Sequence, residues 1–252
     1  MIEIGHVSKS YGPVRVLDDI CLSLPAGRLT AVIGPNGAGK STLFSVIARL
    51  SAADRGCVTV GGLDVARAPG AELARRLAIL RQDNTVPVRL TVRELVAFGR
   101  YPHNRGRARP EDDAHVGRAL SFLGLDDLSE RFLDALSGGQ RQRAFVAMTL
   151  AQDADAMLFD EPLNNLDIRH AVSLMKLMHR LTRELGKTVV VVLHDINFAA
   201  AYADFIVALQ DGRVHTAGPP SALMQPAVLE SLYGCPFTIA DVGGRPVATY
   251  YT

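Results

Sequence analysis

Leu29-Thr30-Ala31-Val32-Ile33-Gly34-Pro35-Asn36-Gly37-Ala38-Gly39-Lys40-Ser41-Thr42 is the stretch that decides the fold. A short apolar run passes into a glycine-rich turn, and a helical pattern then continues from Ser41 to about Leu50. Gly34 to Ser41 fits the phosphate-loop pattern in full: glycine, four free positions, then glycine, lysine and serine. The strand before it and the helix after it are the setting that pattern needs. Glycines let backbone N–H groups turn inward as an anion nest, and the new helix points its positive end at the same place. Lys40 would reach the β- and γ-phosphates, and the Ser41 hydroxyl would ligate Mg²⁺. Gly34, Pro35, Asn36, Gly37, Ala38, Gly39, Lys40, Ser41 and Thr42 are thus the expected nucleoside triphosphate contacts.

Working outward, Met157-Leu158-Phe159-Asp160-Glu161 reads as a buried strand that ends on two acids. Neighbouring strand residues face opposite ways, so the two can do different work. Asp160 is expected in the Mg²⁺ shell through water, and Glu161 as the general base that polarises water. Strands are expected at Ile2–Val7, Val14–Leu24, Leu29–Ile33, Val58–Val60, Ala156–Phe159 and Thr188–Leu193. Helices are expected from about Thr91 to Ala151, from about Arg169 to Glu184, and from about Phe198. Pro110 before Glu111-Asp112-Asp113 suits a first helical turn, where carboxylates meet the positive dipole end. Strands followed by crossover helices indicate an α/β fold with a mainly parallel sheet. Past Gly212 the signals are too weak to assign.

Composition narrows the class. The 252 residues are 48% hydrophobic and 21% charged, which is ordinary globular usage and suits one large domain. A net charge of +1 gives no reason to expect nucleic acid. Apolar runs such as Val189–Leu193 are far short of the roughly 18 residues that cross a bilayer. The opening residues, MIEIGHVSKSYG, contain no apolar signal core, so a cytosolic chain is expected. Cys21, Cys57 and Cys235 fit no zinc or disulfide spacing, and are expected as reduced, partly buried thiols.

Leu136-Ser137-Gly138-Gly139-Gln140 precedes a helical run and would supply a serine N-cap. Capping does not call for two glycines and a glutamine, which suggest a second anion-accepting helix start. This pentapeptide resembles the signature motif of ABC-transporter ATPases. Other motifs of that family appear in order. Tyr11 resembles the aromatic that stacks on adenine. Gln82 resembles the Q-loop glutamine that touches the metal, Asp167 the D-loop aspartate, and His194 the switch histidine.

The resemblance implies a P-loop NTPase ABC-type nucleotide-binding domain: a mainly parallel sheet core with an antiparallel β subdomain and a helical insertion. Residues 1–84 and 152–237 would form the catalytic core, 85–151 the helical signature subdomain, and 238–252 a C-terminal tail. It further implies Glu161, His194 and Gln82 as catalytic residues, with Ser41, Gln82 and Asp160 around Mg²⁺. In a head-to-tail homodimer, Ser137, Gly138, Gly139 and Gln140 of one subunit would close the ATP site of the other.

Only 54 residues separate Gln82 from Ser137, and no heptad run lies between them, unlike DNA-maintenance ATPases. A separate short ATPase chain suggests a bacterial importer with integral-membrane permease subunits at the inner membrane. Phe98 to His103, Asp160 to Asp167 and His194 to Ala199 resemble the ATPases of iron(III)–siderophore importers, which also work with a siderophore-binding protein. Haem or cobalamin import is the alternative, and a soluble ATPase acting on nucleic acid or ribosomes a more distant one. Residues 83–105 would receive the permease, with Arg81, Arg89, Arg93, Arg100 and Arg105 either pairing with it or simply solvated.

Overall fold

The computed structural model describes residues 1–82 and 86–251. Strands β1 (Ile2–Tyr11) and β2 (Val14–Leu24) form a hairpin whose inward residues, among them Ile2, Ile4, Val7, Ile20 and Leu24, are buried. Strand β3 (Leu29–Ile33) is buried at every position, as a central parallel strand must be. It runs into the Gly34–Gly39 loop and helix α1 (Lys40–Ile47). Strands β4 (Arg55–Val60) and β5 (Leu63–Asp64) return to the first hairpin and complete an antiparallel sheet of order β2-β1-β4-β5.

Helix α2 (Gly70–Arg76) leads into β6 (Leu77–Leu80). The helical insertion follows as α3 (Val92–Phe98), α4 (Tyr101–Asn104), α5 (Pro110–Phe122) and α6 (Gly138–Ala151). The chain then alternates through β7 (Ala156–Phe159), α7 (Ile168–Leu185), β8 (Thr188–Val192), α8 (Ile196–Tyr202) and β9 (Phe205–Gln210). It continues through β10 (Arg213–Gly218), α9 (Pro220–Leu223), α10 (Pro226–Tyr233), β11 (Thr238–Asp241) and β12 (Pro246–Thr249).

The main sheet has the order β10-β9-β3-β8-β7-β6, parallel throughout except for β10 at one edge. Its alternating side chains feed two cores. Ala31, Ile33, Met157, Phe159, Val189 and Val191 pack with α6 and α7 on one face. Val32, Leu158, Val190 and Val192 pack with α1 and the antiparallel sheet on the other. Each fully buried Val, Leu or Phe contributes on the order of 1.5–3 kcal/mol. The phosphate loop and the acidic strand end are therefore held rigidly at the carboxyl edge of one sheet, where ligands bind in open α/β folds.

Several expectations need correction. All three cysteines are free and exposed rather than partly buried: Cys21 and Cys57 take exposed positions of β2 and β4, and Cys235 lies in the bend after α10. Strand β1 extends to Tyr11, since irregular pairing with β2 disguises its alternation. Strand β9 had not been read: its apolar run follows directly on an alanine-rich helix, so the two patterns merge. The residues after Gly212 form an edge strand, two short helices and a hairpin. That hairpin is tied to α8 by Asn197, whose Nδ2 donates to Ala248 O (3.1 Å) and whose Oδ1 accepts from Ala248 N (2.8 Å).

Arg100 is not a surface residue. It is buried, donating from Nε to Asp112 Oδ1 (2.9 Å) and from Nη1 to Ala151 O (2.8 Å). Arg89 pairs with Asp134, and Arg93 with Asp113 and Glu130, all within the chain. Of the expected docking stretch 83–105, residues 83–85 lie outside the described residues, as does the expected 84/85 boundary.

Candidate functional site

Two glycines set the shape of the phosphate loop. A Cβ on Gly34 would sit 2.1 Å from Leu209 O, so this residue can only be glycine where the loop crosses β9. Gly39 takes φ +99° as N-cap of α1, and its carbonyl accepts from Leu43 N (2.8 Å). No side chain caps this helix, which leaves its first N–H groups for an anion. Lys40 is buried, and its ammonium donates to Gly34 O (2.8 Å) and Pro35 O (3.0 Å). Burial pulls the Lys40 pKa down, against the opposing pull of the Glu161 charge. A buried ammonium resting on two carbonyls is ready to exchange them for phosphate oxygens.

Ser41, in the first turn of α1, is exposed, and Thr42 follows it half-buried. Tyr11, at the tip of the first hairpin, exposes about half its surface, and the Lys9 ammonium lies 5.4 Å from its ring centre. That leaves a ring face for stacking.

Both acids lie just past the end of β7, and Glu161 there leaves extended backbone, so strand alternation does not set their directions. Asp160 N donates to Leu80 O (2.9 Å), continuing the β6–β7 ladder, so Arg81 and Gln82 leave the neighbouring strand end beside it. Gln82 is exposed. Asp160 Oδ1 is buried and has no hydrogen-bond partner among the described residues. Burial first, and then the Glu161 charge, push the Asp160 pKa up to about 6 against Arg81 and His194. An orphaned, buried carboxylate oxygen suits a hard cation such as Mg²⁺, and the Ser41 hydroxyl and Gln82 amide would complete an all-oxygen donor set.

Glu161 is held from both sides. His194 Nε2 lies 2.8 Å from its Oε1, and Asn164 Nδ2 donates to its Oε2 (2.6 Å). The residue sits at φ +46°, an uncommon conformation for a non-glycine that aims the carboxylate back toward His194. His194 follows the end of β8, and a hollow of about 180 Å³ separates it from the turn carrying Asn164. In the sequence alone, Asn164 is only a mark of the family resemblance. Its spacing of three from Glu161 in a turn was the available signal for the hydrogen bond.

The signature segment lies on the other face of the sheet. Ser137 caps α6 with a reciprocal box: Gln140 N donates to Ser137 Oγ (3.3 Å), and Ser137 N donates to Gln140 Oε1 (2.9 Å). Both the capping and the anion-site expectations are compatible with this geometry. Gly139 is needed because a Cβ there would meet the His170 ring at 2.1 Å. His170 in turn holds Asp167: Nδ1 and Oδ1 are 2.8 Å apart, and His170 N also donates to Oδ1. The structure thus joins Gly139 and Asp167 through a histidine that sequence reasoning missed. Among the described residues, no hydrogen bond joins Ser137–Gln140 to the phosphate loop of the same chain.

Comparisons with known proteins bear on the family and the fold. The ABC transporter family model matches residues 17–164. The petrobactin import ATP-binding protein YclP of Bacillus subtilis (strain 168) is 46% identical over all of both chains. The ferric enterobactin transport ATP-binding protein FepC of Escherichia coli (strain K12) is 42% identical over 96% of this chain and 91% of its own. The ATP-binding cassette MJ0796, solved as a post-hydrolysis dimer with ADP and Pi, superposes with a TM-score of 0.75. It is 30% identical, over 87% of this chain and 99% of its own. The chain belongs to the ABC transporter family.

Proposed function

We propose that this chain is the ATP-hydrolysing subunit of a multi-chain importer that moves iron(III)–siderophore across the inner membrane. The observation that carries the catalytic part is the pairing of an unpartnered Asp160 with a Glu161–His194 contact at the strand ends beside the phosphate loop. The cargo rests on the relatives, which are named for petrobactin and ferric enterobactin transport.

In this reading, residues 1–84 and 152–237 form the catalytic core and 85–151 the signature subdomain. Lys40 gives up the Gly34 and Pro35 carbonyls for phosphate oxygens, joined by the free N–H groups of α1. Tyr11 stacks on adenine. Ser41, Gln82 and Asp160 would hold Mg²⁺, Asp160 through water, and the ion would supply charge neutralisation for the β- and γ-phosphates. Glu161 accepts a proton from the attacking water. Both of its oxygens are engaged in the resting arrangement, so at least one contact must loosen first. The γ-phosphate offers His194 a competing acceptor, which frees Oε1 for water when the nucleotide is in place.

The MJ0796 dimer supports a two-subunit arrangement, and in this reading Ser137–Gln140 of one chain completes the site of the other. Among the described residues no helix is long and apolar enough to cross a membrane, so translocation falls to permease subunits beside this chain. The test is Glu161→Gln. ATP binding should persist while hydrolysis falls by about 10²–10⁴-fold, the usual contribution of a general base. Near-normal turnover would overturn the catalytic assignment. For cargo, a deletion strain should regain radiolabelled ferric-siderophore uptake from the wild-type chain and not from Glu161→Gln. Uptake unaffected by the deletion would overturn the transport assignment.

A further inference from the structure

The antiparallel sheet carries a cluster that the nucleotide site does not use. His6 Nδ1 lies 2.9 Å from Asp19 Oδ1 and 3.3 Å from Cys21 Sγ, and the three donor atoms all fall within 4.8 Å of one another. His6 N also donates to Cys21 Sγ (3.3 Å). All three residues are exposed.

Two successive irregularities in the β1–β2 ladder bring them together. Ile4 pairs with Leu22 and Val7 with Ile20, so Gly5 and His6 together oppose the single residue Cys21. Lys9 next pairs with Leu17, so Asp18 and Asp19 together oppose Ser8, whose Oγ accepts from Asp19 N (3.1 Å). Each strand thus carries one extra residue, and the extra residues are where the backbone is strained: His6 has φ +52° and Asp19 φ +55°. Simple alternation from the buried Ile4 would send His6 into the core and Val7 out to solvent. The bulge reverses this, burying Val7 and turning the imidazole outward beside the carboxylate and the thiol. Re-aiming a side chain at the cost of left-handed backbone is characteristic of functional positions.

We propose that His6, Asp19 and Cys21 form a binding site for one divalent transition-metal ion of the zinc class. A nitrogen, an oxygen and a sulfur converge on one region. A dication that displaces the Cys21 thiol proton would balance one carboxylate and one thiolate, with neutral imidazole as the third ligand. Thiolate and imidazole donors select zinc-like ions, whereas the all-oxygen set at Asp160 suits Mg²⁺. Three protein ligands at the surface leave a fourth, open position for water or an exogenous donor. The site is separate from the nucleotide-binding residues and does not depend on their assignment.

The experiment is a Co²⁺ titration of the full-length, chelator-treated protein without nucleotide and with excess Mg²⁺ present. A thiolate-to-cobalt charge-transfer band should appear, saturate at one ion per chain, and be displaced by Zn²⁺. It should vanish in Cys21→Ser, and binding should weaken by at least about tenfold in His6→Ala and Asp19→Ala. It should be unchanged in Cys57→Ser and Cys235→Ser, with circular dichroism confirming that every variant is folded. No thiolate band at one equivalent, a band that survives Cys21→Ser, or unweakened binding in folded His6→Ala would each overturn the proposal.

Discussion

Two carboxylates in this molecule are taken out of water and treated in opposite ways. Asp112, in the helical insertion, is only 5% exposed, and both of its oxygens are occupied. Oδ1 accepts from Arg100 Nε, while Oδ2 accepts from Asn104 Nδ2 and Arg109 N. Burial works to raise its pKa, but the hydrogen bonds from Asn104, Arg100 and Arg109 outweigh it and hold the group below 3.8. Asp160, at the end of β7, has a buried Oδ1 with no partner among the described residues, and its pKa is pushed up to about 6. The first arrangement is complete in itself and ties α4, α5 and the end of α6 together. The second is complete only when something from outside the chain enters. Unsatisfied buried polar groups are rare in native proteins and tend to mark sites of function.

The contrast predicts a double dissociation. Asp112→Ala would leave the Arg100 guanidinium buried without its counter-ion, a loss of about 3–5 kcal/mol. For a domain of this size that is a drop of roughly 10 °C in melting temperature. ATP turnover per folded molecule should stay near wild type. Asp160→Asn should do the reverse, lowering turnover by about 10²-fold or more through a damaged metal shell. Its melting temperature in chelator should be no lower than wild type, because the substitution removes a charge that folding disfavours. Calorimetry alongside a phosphate-release assay measures both arms. If Asp160→Asn melted as early as Asp112→Ala, the distinction between the two carboxylates would collapse.

The same pair shows what the sequence could reveal. Asp160 was legible because phosphate chemistry requires fixed residue types at fixed spacing: Gly34 to Ser41 locates the nucleotide, and an acid after an apolar strand follows. Asp112 was legible only as a first-turn acid, and Arg100 only as one of four arginines in a candidate docking stretch. Nothing local indicates that these two, twelve positions apart, meet in a buried pocket closed by Ala151 O. Strands β3, β7 and β8 could be read because full burial makes them continuously apolar and a motif residue marks the end of each. Strand β6, as short as β7, runs straight on from α2 and has no acidic pair at its end to mark it. The contact of His170 with Gly139, and the paired bulges beneath His6 and Asp19, depend on tertiary approach and register, which residue spacing does not encode.

The smallest effect tests the electrostatic contrast directly. Between about pH 4 and 6 the folded protein keeps a proton on Asp160 that the unfolded chain, with its ordinary value of 3.8, has released. The unfolded state then binds fewer protons than the native state, so the Asp160 contribution to stability falls as pH rises through this window. Asp112 has the opposite sign. Its contribution is present above the unfolded value and is lost as pH falls through its depressed folded value, so it is nearly constant from pH 5 upward. A shift of two units corresponds to nearly 3 kcal/mol if fully expressed, and solvent reaching the half-buried carboxylate should reduce that to about 1 kcal/mol. The stability difference between Asp160→Asn and wild type, measured by denaturant unfolding in chelator, cancels titrations common to both proteins. That difference should grow in favour of the variant by about 1 kcal/mol from pH 4 to pH 7 and then level off. A flat difference would mean that Asp160 is satisfied within the chain after all, which would leave its orphaned oxygen no longer an argument for a bound cation.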